Sequence, residues 1–160
     1  ARVVLLGTGG AGSAIAHAVL RLGAGALMLV DTDGGRAQAL ADSLNALYGA
    51  GRVTAGTDAA TVVPGATGLI HATPTGMAKL PGLPLAAGLL RPDLWVAEIV
   101  YFPLETALLQ AARAAGCAVS DGGGMAVGQA ADAFELFTGR PADAARMRAH
   151  FLQMVAARAA

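Results

Sequence analysis

A single cysteine, Cys117, stands in 160 residues, so no internal disulfide can form. That usage fits a reducing compartment and points to the cytoplasm. Acids and bases balance at 11 each, for a formal net charge of zero. A neutral chain offers no electrostatic case for nucleic acid, whose phosphates require clustered Lys and Arg. Lysine occurs once, at Lys79. The histidines His17, His71 and His150 stand singly, without HxxxH spacing or neighbouring cysteines, so no metal site is expected. No apolar run approaches the ~20 residues of a membrane span, so no membrane contact is expected either. The mean hydropathy of +0.56 then reflects a chain rich in Ala and Gly. The first residues hold one Arg and then a strand pattern, which does not read as a signal peptide. The lack of an initial Met reads as a processed, trimmed or excised chain.

What the chain has in quantity is glycine, 22 residues of it, set among short apolar runs. Strands are predicted at 2–6, 26–31, 52–55, 67–71, 94–100 and 117–120, each apolar on both faces as in a covered parallel sheet. Helical patterns fall at 11–22, 35–47, 58–63, 85–90, 105–115, 125–138 and 142–157, with Gly23, Gly49 and Gly116 as stop signals. Alternation of this kind predicts an α/β, doubly wound Rossmann-type parallel sheet of about six strands with helices on both faces. The whole chain, 1–160, reads as one dinucleotide-binding domain.

The opening segment RVVLLGTGGAGSA carries the chemistry. Gly7-x-Gly9-x-x-Gly12 leaves a strand and enters a helix, with Thr8, Gly10 and Ala11 in the same loop. In that context Gly7 permits a tight turn, Gly9 lets a pyrophosphate approach the backbone, and Gly12 lets helix and strand pack closely. The helix amino terminus then faces the phosphates with free N–H groups and a positive dipole end. Asp31 closes the second strand, 19 residues after Gly12, where a carboxylate can accept from an adenosine ribose. A 2′-phosphate about 4 Å from that carboxylate would be repelled by roughly 1–4 kcal/mol, which favours NAD over NADP. Thr32 adjoins it without positive charge, and Arg36 can stack on adenine or reach a phosphate. Elsewhere Cys117, Trp95 and Val96 read as core, and Asp58, Asp93 and Asp143 as helix caps or turn residues. Phe134, Leu136 and Phe137 read either as core or as an apolar face meant for another domain.

Three later stretches, HATPTGM (71–77), EIVYFPLETALLQAARAAG (98–116) and DGGGMAVGQAADAFELFTG (121–139), join GTGGAGSA in one ordered set. The set resembles the cofactor-binding C-terminal domain of the shikimate and quinate dehydrogenase family, over about residues 2–151. Asp31-Thr32-Asp33 resembles the NAD-using branch, where the NADP-using branch carries Asn-Arg-Thr. The resemblance implies that Thr73, Pro74, Gly76 and Met77 line the nicotinamide end, with Val100. It also implies that Gly123 or Gly124 brings backbone to the nicotinamide, that Tyr101 and Thr106 border the cleft, and that Gln129 bonds a substrate hydroxyl. His71 stands where the family has Asn, and Glu98 where it has Asp.

The resemblance further implies an oxidoreductase passing hydride between NAD and a ring hydroxyl of a cyclic polyol acid. The family's catalytic Lys and Asp belong to an amino-terminal substrate domain that this sequence does not contain, and Lys79 lacks their context. No catalytic residue is therefore assigned here, and the chain alone is expected to be inactive. The alternative is a stand-alone or excised NAD-binding module without turnover.

Overall fold

The computed structural model describes residues 1–159; Ala160, at the end of the expected domain, lies outside the described residues. Strands β1 (Arg2–Leu6), β2 (Ala26–Val30), β3 (Val53–Gly56), β4 (Gly68–His71), β5 (Trp95–Glu98) and β6 (Ala118–Ser120) form one sheet. Their order is β3-β2-β1-β4-β5-β6, with every pairing parallel. The chain thus winds outward from β1 in one direction and resumes at β4 on the other side. The carboxyl ends of β1 and β4 meet at that reversal, where open sheets of this type bind ligands.

Helices α1 (Gly10–Arg21), α2 (Gly34–Tyr48), α3 (Ala59–Val62), α4 (Ala107–Ala114), α5 (Gly122–Thr138) and α6 (Ala144–Ala159) follow in order. Because successive strand residues face opposite ways, Val3 and Leu5 of β1 enter one core while Val4 and Leu6 enter the other. The first core also takes Leu27, Leu29, Ala16 and Leu20 of α1, and Ala41 and Leu44 of α2. The second takes Leu69, Val96, and Leu108 and Ala112 of α4. Leu5, Leu27, Leu29 and Leu69 are fully buried, and each such side chain contributes about 1.5–3 kcal/mol by its burial. His17 joins α1 to α2 through a 3.1 Å bond between its Nδ1 and the Tyr48 hydroxyl.

Several boundaries differ from expectation for local reasons. The helix expected at 58–63 is one turn, and Pro64, with no N–H to give, sits in the 3-10 turn Val63–Gly65 that follows. The stretch 85–90 holds only a 3-10 turn, Ala87–Leu89. Strand β5 stops at Glu98, whose side chain accepts the N–H of Val100 at 2.9 Å. Helix α5 begins at Gly122 rather than 125, because Asp121 caps it by accepting from the Gly123 N–H at 2.9 Å. Trp95 is not core. Its indole lies over Gly68, the cross-strand partner without a side chain, and remains 36% exposed. Phe134, Leu136 and Phe137 are all exposed. Asp58 and Asp143 accept from the N–H groups of Ala60 and Arg146, while Asp93 pairs with Arg91 at 2.9 Å.

Candidate functional site

The glycine loop divides into two pairs with opposite surroundings. Gly7 has φ +94°, and a Cβ there would lie 2.5 Å from the Ala72 carbonyl oxygen. A Cβ on Gly12 would collide with the Gly7 carbonyl. Both positions therefore demand glycine to bring β1, α1 and the loop after β4 together. Gly9 and Gly10 instead have nothing within 4 Å of a Cβ position, and both face a cavity of about 900 Å³. The same cavity meets Ala11 at the amino end of α1, where unpaired N–H groups and the helix dipole favour an anion.

Asp31 stands at one end of this cavity with Thr32 and Arg36. Asp31 is 8% exposed, and its carboxylate is heavily engaged. Oδ2 accepts from the Thr8 N–H and the Thr8 hydroxyl, both at 2.7 Å. Oδ1 accepts from the Asp33 N–H at 3.0 Å and from Arg36 Nη2 at 2.7 Å. Burial alone would raise the pKa of Asp31, but the bonds from Asp33, Thr8 and Arg36 outweigh it and hold the carboxyl well below its usual range. Arg36 is shifted upward in turn, first by that hydrogen bond. With the Thr32 hydroxyl at 3.4 Å from Oδ1, five donors crowd the roughly four lone-pair positions of a carboxylate. A ribose hydroxyl would therefore have to displace the half-exposed Arg36 side chain.

A second cavity of about 600 Å³ shares Ala11, Ala72, Thr73 and Pro74 with the first. The two make one trough across the carboxyl edge of the sheet. Met77, Val100, Tyr101 and Gln129 line its far end, joined by Met125 from the same face of α5 as Gln129. The Gln129 amide has no hydrogen bond among the described residues. Tyr101 is half-exposed and stacks edge-on against Phe151 at 6.4 Å. Behind this wall His71 and Glu98, at the ends of β4 and β5, are buried and paired at 2.9 Å.

Other expected residues sit elsewhere. Thr8 is buried and serves the trough only through Asp31. Gly12 and Gly76 pack against the Gly7 carbonyl and the Thr106 side chain rather than lining either cavity. Gly123 and Gly124 turn toward Phe151 and Arg148 of α6, because the glycine run forms the first turn of α5. Gly122 is the glycine that approaches the strand end, with a Cβ position 2.6 Å from the Ile99 carbonyl oxygen.

The structure also adds residues that sequence reasoning passed over. Thr57, Asp58 and Ala60 after β3, and Pro84, Leu85, Ala86 and Leu89 opposite, complete the Asp31 end. Lys79, Ala78, Ile99 and Phe102 join the other. No spacing rule marks them, since only the strand order makes these loops neighbours.

A six-stranded parallel sheet with a glycine-walled trough at its reversal point is a fold of the Rossmann type, a class that binds dinucleotides at such a point. By its relatives the chain is placed with the C-terminal domains of the shikimate/quinate dehydrogenase family. The family model "Shikimate 5'-dehydrogenase C-terminal domain" matches residues 122–150. A shikimate dehydrogenase (NADP(+)) of Streptomyces avermitilis is 57% identical over 96% of this chain and 53% of its own length. A quinate/shikimate dehydrogenase (NAD(+)) of Corynebacterium glutamicum is 46% identical over 95% of this chain and 54% of its own. The solved quinate dehydrogenase from Corynebacterium glutamicum in complex with NAD superposes with a TM-score of 0.89 at 45% identity, over 95% of this chain and 55% of that one. The chain thus spans about half the length of the curated relatives it matches. Those relatives bear names for both cofactors.

Proposed function

We propose that this chain is the NAD-holding half of an oxidoreductase acting on a ring hydroxyl of a cyclic polyol acid of the shikimate or quinate class. The observation that carries the cofactor preference is Asp31, a charged carboxylate at the outer end of the trough. A carboxylate there accepts ribose hydroxyls and repels a 2′-phosphate. The open backbone of Gly9, Gly10 and Ala11 suits the pyrophosphate. Thr73, Pro74, Met77 and Val100 would hold the nicotinamide, which when bound supplies the hydride acceptor or donor. Gln129 and Tyr101 offer an amide and a phenol to a substrate hydroxyl.

Oxidation of an alcohol also needs a group to take the hydroxyl proton. No base with an orienting partner lines the far end of the trough among the described residues; Lys79 there is exposed and unpaired. We place the proton acceptor in the part of the relatives' length that this chain does not span. Steady-state assays with shikimate and quinate test the division. The full-length protein is expected to reduce NAD with one or both, and the isolated chain with neither. Turnover by the isolated chain that Lys79→Ala abolishes would overturn it.

A further inference from the structure

Behind the wall of the trough a chain of hydrogen bonds runs through buried groups. His71 is 0%, Glu98 3% and Thr106 1% exposed. Glu98 Oε1 accepts from the Val100 N–H at 2.9 Å, and Oε2 accepts from the Thr106 hydroxyl at 3.1 Å. Thr106 Oγ1 itself accepts the Leu109 N–H at 3.3 Å as the cap of α4, which leaves its proton for Glu98. His71 Nδ1 lies 2.9 and 3.0 Å from the two carboxylate oxygens. A carboxylate only accepts, so Nδ1 carries a proton. In a singly protonated ring Nε2 is then an acceptor, and it faces the Thr73 hydroxyl at 2.5 Å. Thr73 therefore donates to His71, accepts from the Thr75 N–H at 3.2 Å, and retains one lone pair. Thr73 lines both halves of the trough.

We propose that the Glu98–His71 pair is a positioning device that makes Thr73 a hydrogen-bond acceptor toward the trough, where it takes an amide N–H of the nicotinamide carboxamide. This rests on the proposed cofactor reading. The pair acts through proton order. Exchanging Glu98 for Gln keeps one oxygen for the Val100 N–H but puts an amide N–H₂ at the other position, about as near to Nδ1, where it competes with the ring proton and favours its move to Nε2. Nε2–H then donates to Thr73, and the Thr73 proton turns outward against the carboxamide N–H.

The test uses the full-length protein and two ligands, NADH and ADP-ribose, which keeps the adenosine and both phosphates but lacks nicotinamide. Nitrogen-15 spectra of the His71 ring, recorded without ligand, report its tautomer. The expected wild-type form is Nδ1–H, and Glu98→Gln is expected to convert it to Nε2–H. Calorimetry should show NADH affinity falling about three- to tenfold in Glu98→Gln and in Thr73→Val, the worth of one net hydrogen bond. Thr73→Ser, which keeps the hydroxyl, should restore it, and affinity for ADP-ribose should hold in all three. A parallel loss of ADP-ribose binding would make the network merely structural and overturn the inference. So would a wild-type Nε2–H ring, or NADH affinity untouched by both Glu98→Gln and Thr73→Val. A wild type that binds neither ligand overturns the cofactor reading, and this inference with it.

Discussion

Replacing Asp31 by Asn separates the two tasks of that carboxylate. The carboxylate accepts five bonds, two from Thr8, one from the Asp33 N–H, one from Arg36 and a longer one from the Thr32 hydroxyl. An amide oxygen has two lone pairs, so Asn can keep both Thr8 donors but must then aim its own N–H₂ at Asp33 and Arg36. The bonds lost are charge-assisted, worth about 1.5–3 kcal/mol each when buried. Arg36 is half-exposed, and water can reach it in the variant. The expected destabilisation is therefore about 2–3 kcal/mol, below the sum of two full bonds. Ligand binding shifts separately. NAD loses a charged acceptor for its ribose, while NADP is freed from roughly 1–4 kcal/mol of repulsion at its 2′-phosphate. The ratio of NAD to NADP affinity should fall at least about tenfold.

Calorimetric titration of wild type and Asp31→Asn with both cofactors, alongside urea unfolding, measures each effect. A wild type that prefers NADP would refute the reasoning at its root, and the NADP label of the Streptomyces relative makes that a real contest. An unchanged ratio in Asp31→Asn would refute the charge argument. Acid supplies an independent check. The folded carboxyl lies below its unfolded value near 3.8. Its contribution is thus present above that value and lost as pH falls through the folded one. The stability gap between wild type and Asp31→Asn should narrow as pH drops below about 4. A constant gap would mean that Asp31 gains nothing from its charge.

Gly9→Ala should leave the melting temperature nearly unchanged, since its Cβ meets open space, yet abolish measurable NAD binding by filling the pyrophosphate approach. Gly12→Ala should instead lower stability by about 2 kcal/mol or more through collision with the Gly7 carbonyl; equal behaviour of the two variants would refute the division of the loop. Gln129→Ala in the full-length protein should weaken substrate use by about 1–2 kcal/mol while sparing NAD affinity. A defect mainly in NAD binding would show that Gln129 serves the cofactor instead.

The Asp31 end of the site was legible in the sequence because it is nearly local. One strand, one turn and one helix carry Gly7 to Gly12, and the next strand, hydrogen-bonded to the first along Arg2–Leu6, brings Asp31 alongside. Spacing alone encodes such an arrangement. The number of bonds on Asp31 was not legible, since Thr8 and Arg36 reach it only once the loop has closed. The end proposed for the nicotinamide is of another kind. Thr73, Val100 and Gln129 leave three elements whose adjacency is set by β1-β4-β5 order and by α5 returning over it, so only a family resemblance could name them.

Gly123 and Gly124 show a related limit of spacing: a run of glycines reads as loop, yet the Asp121 cap makes it helix and turns their Cβ positions toward α6. His71 and Glu98 are the least legible of all. Each looks like an isolated departure in its own motif, and they are 27 residues apart. The register that sets His71 opposite Glu98 converts two separate oddities into one buried pair. A buried acid beside a buried imidazole is stable only when its donors are complete. Val100, Thr106 and His71 complete them here, so both oxygens of Glu98 are held behind the wall of the trough. That completeness fixes the plane of the imidazole, and with it the side from which Nε2 meets the Thr73 hydroxyl.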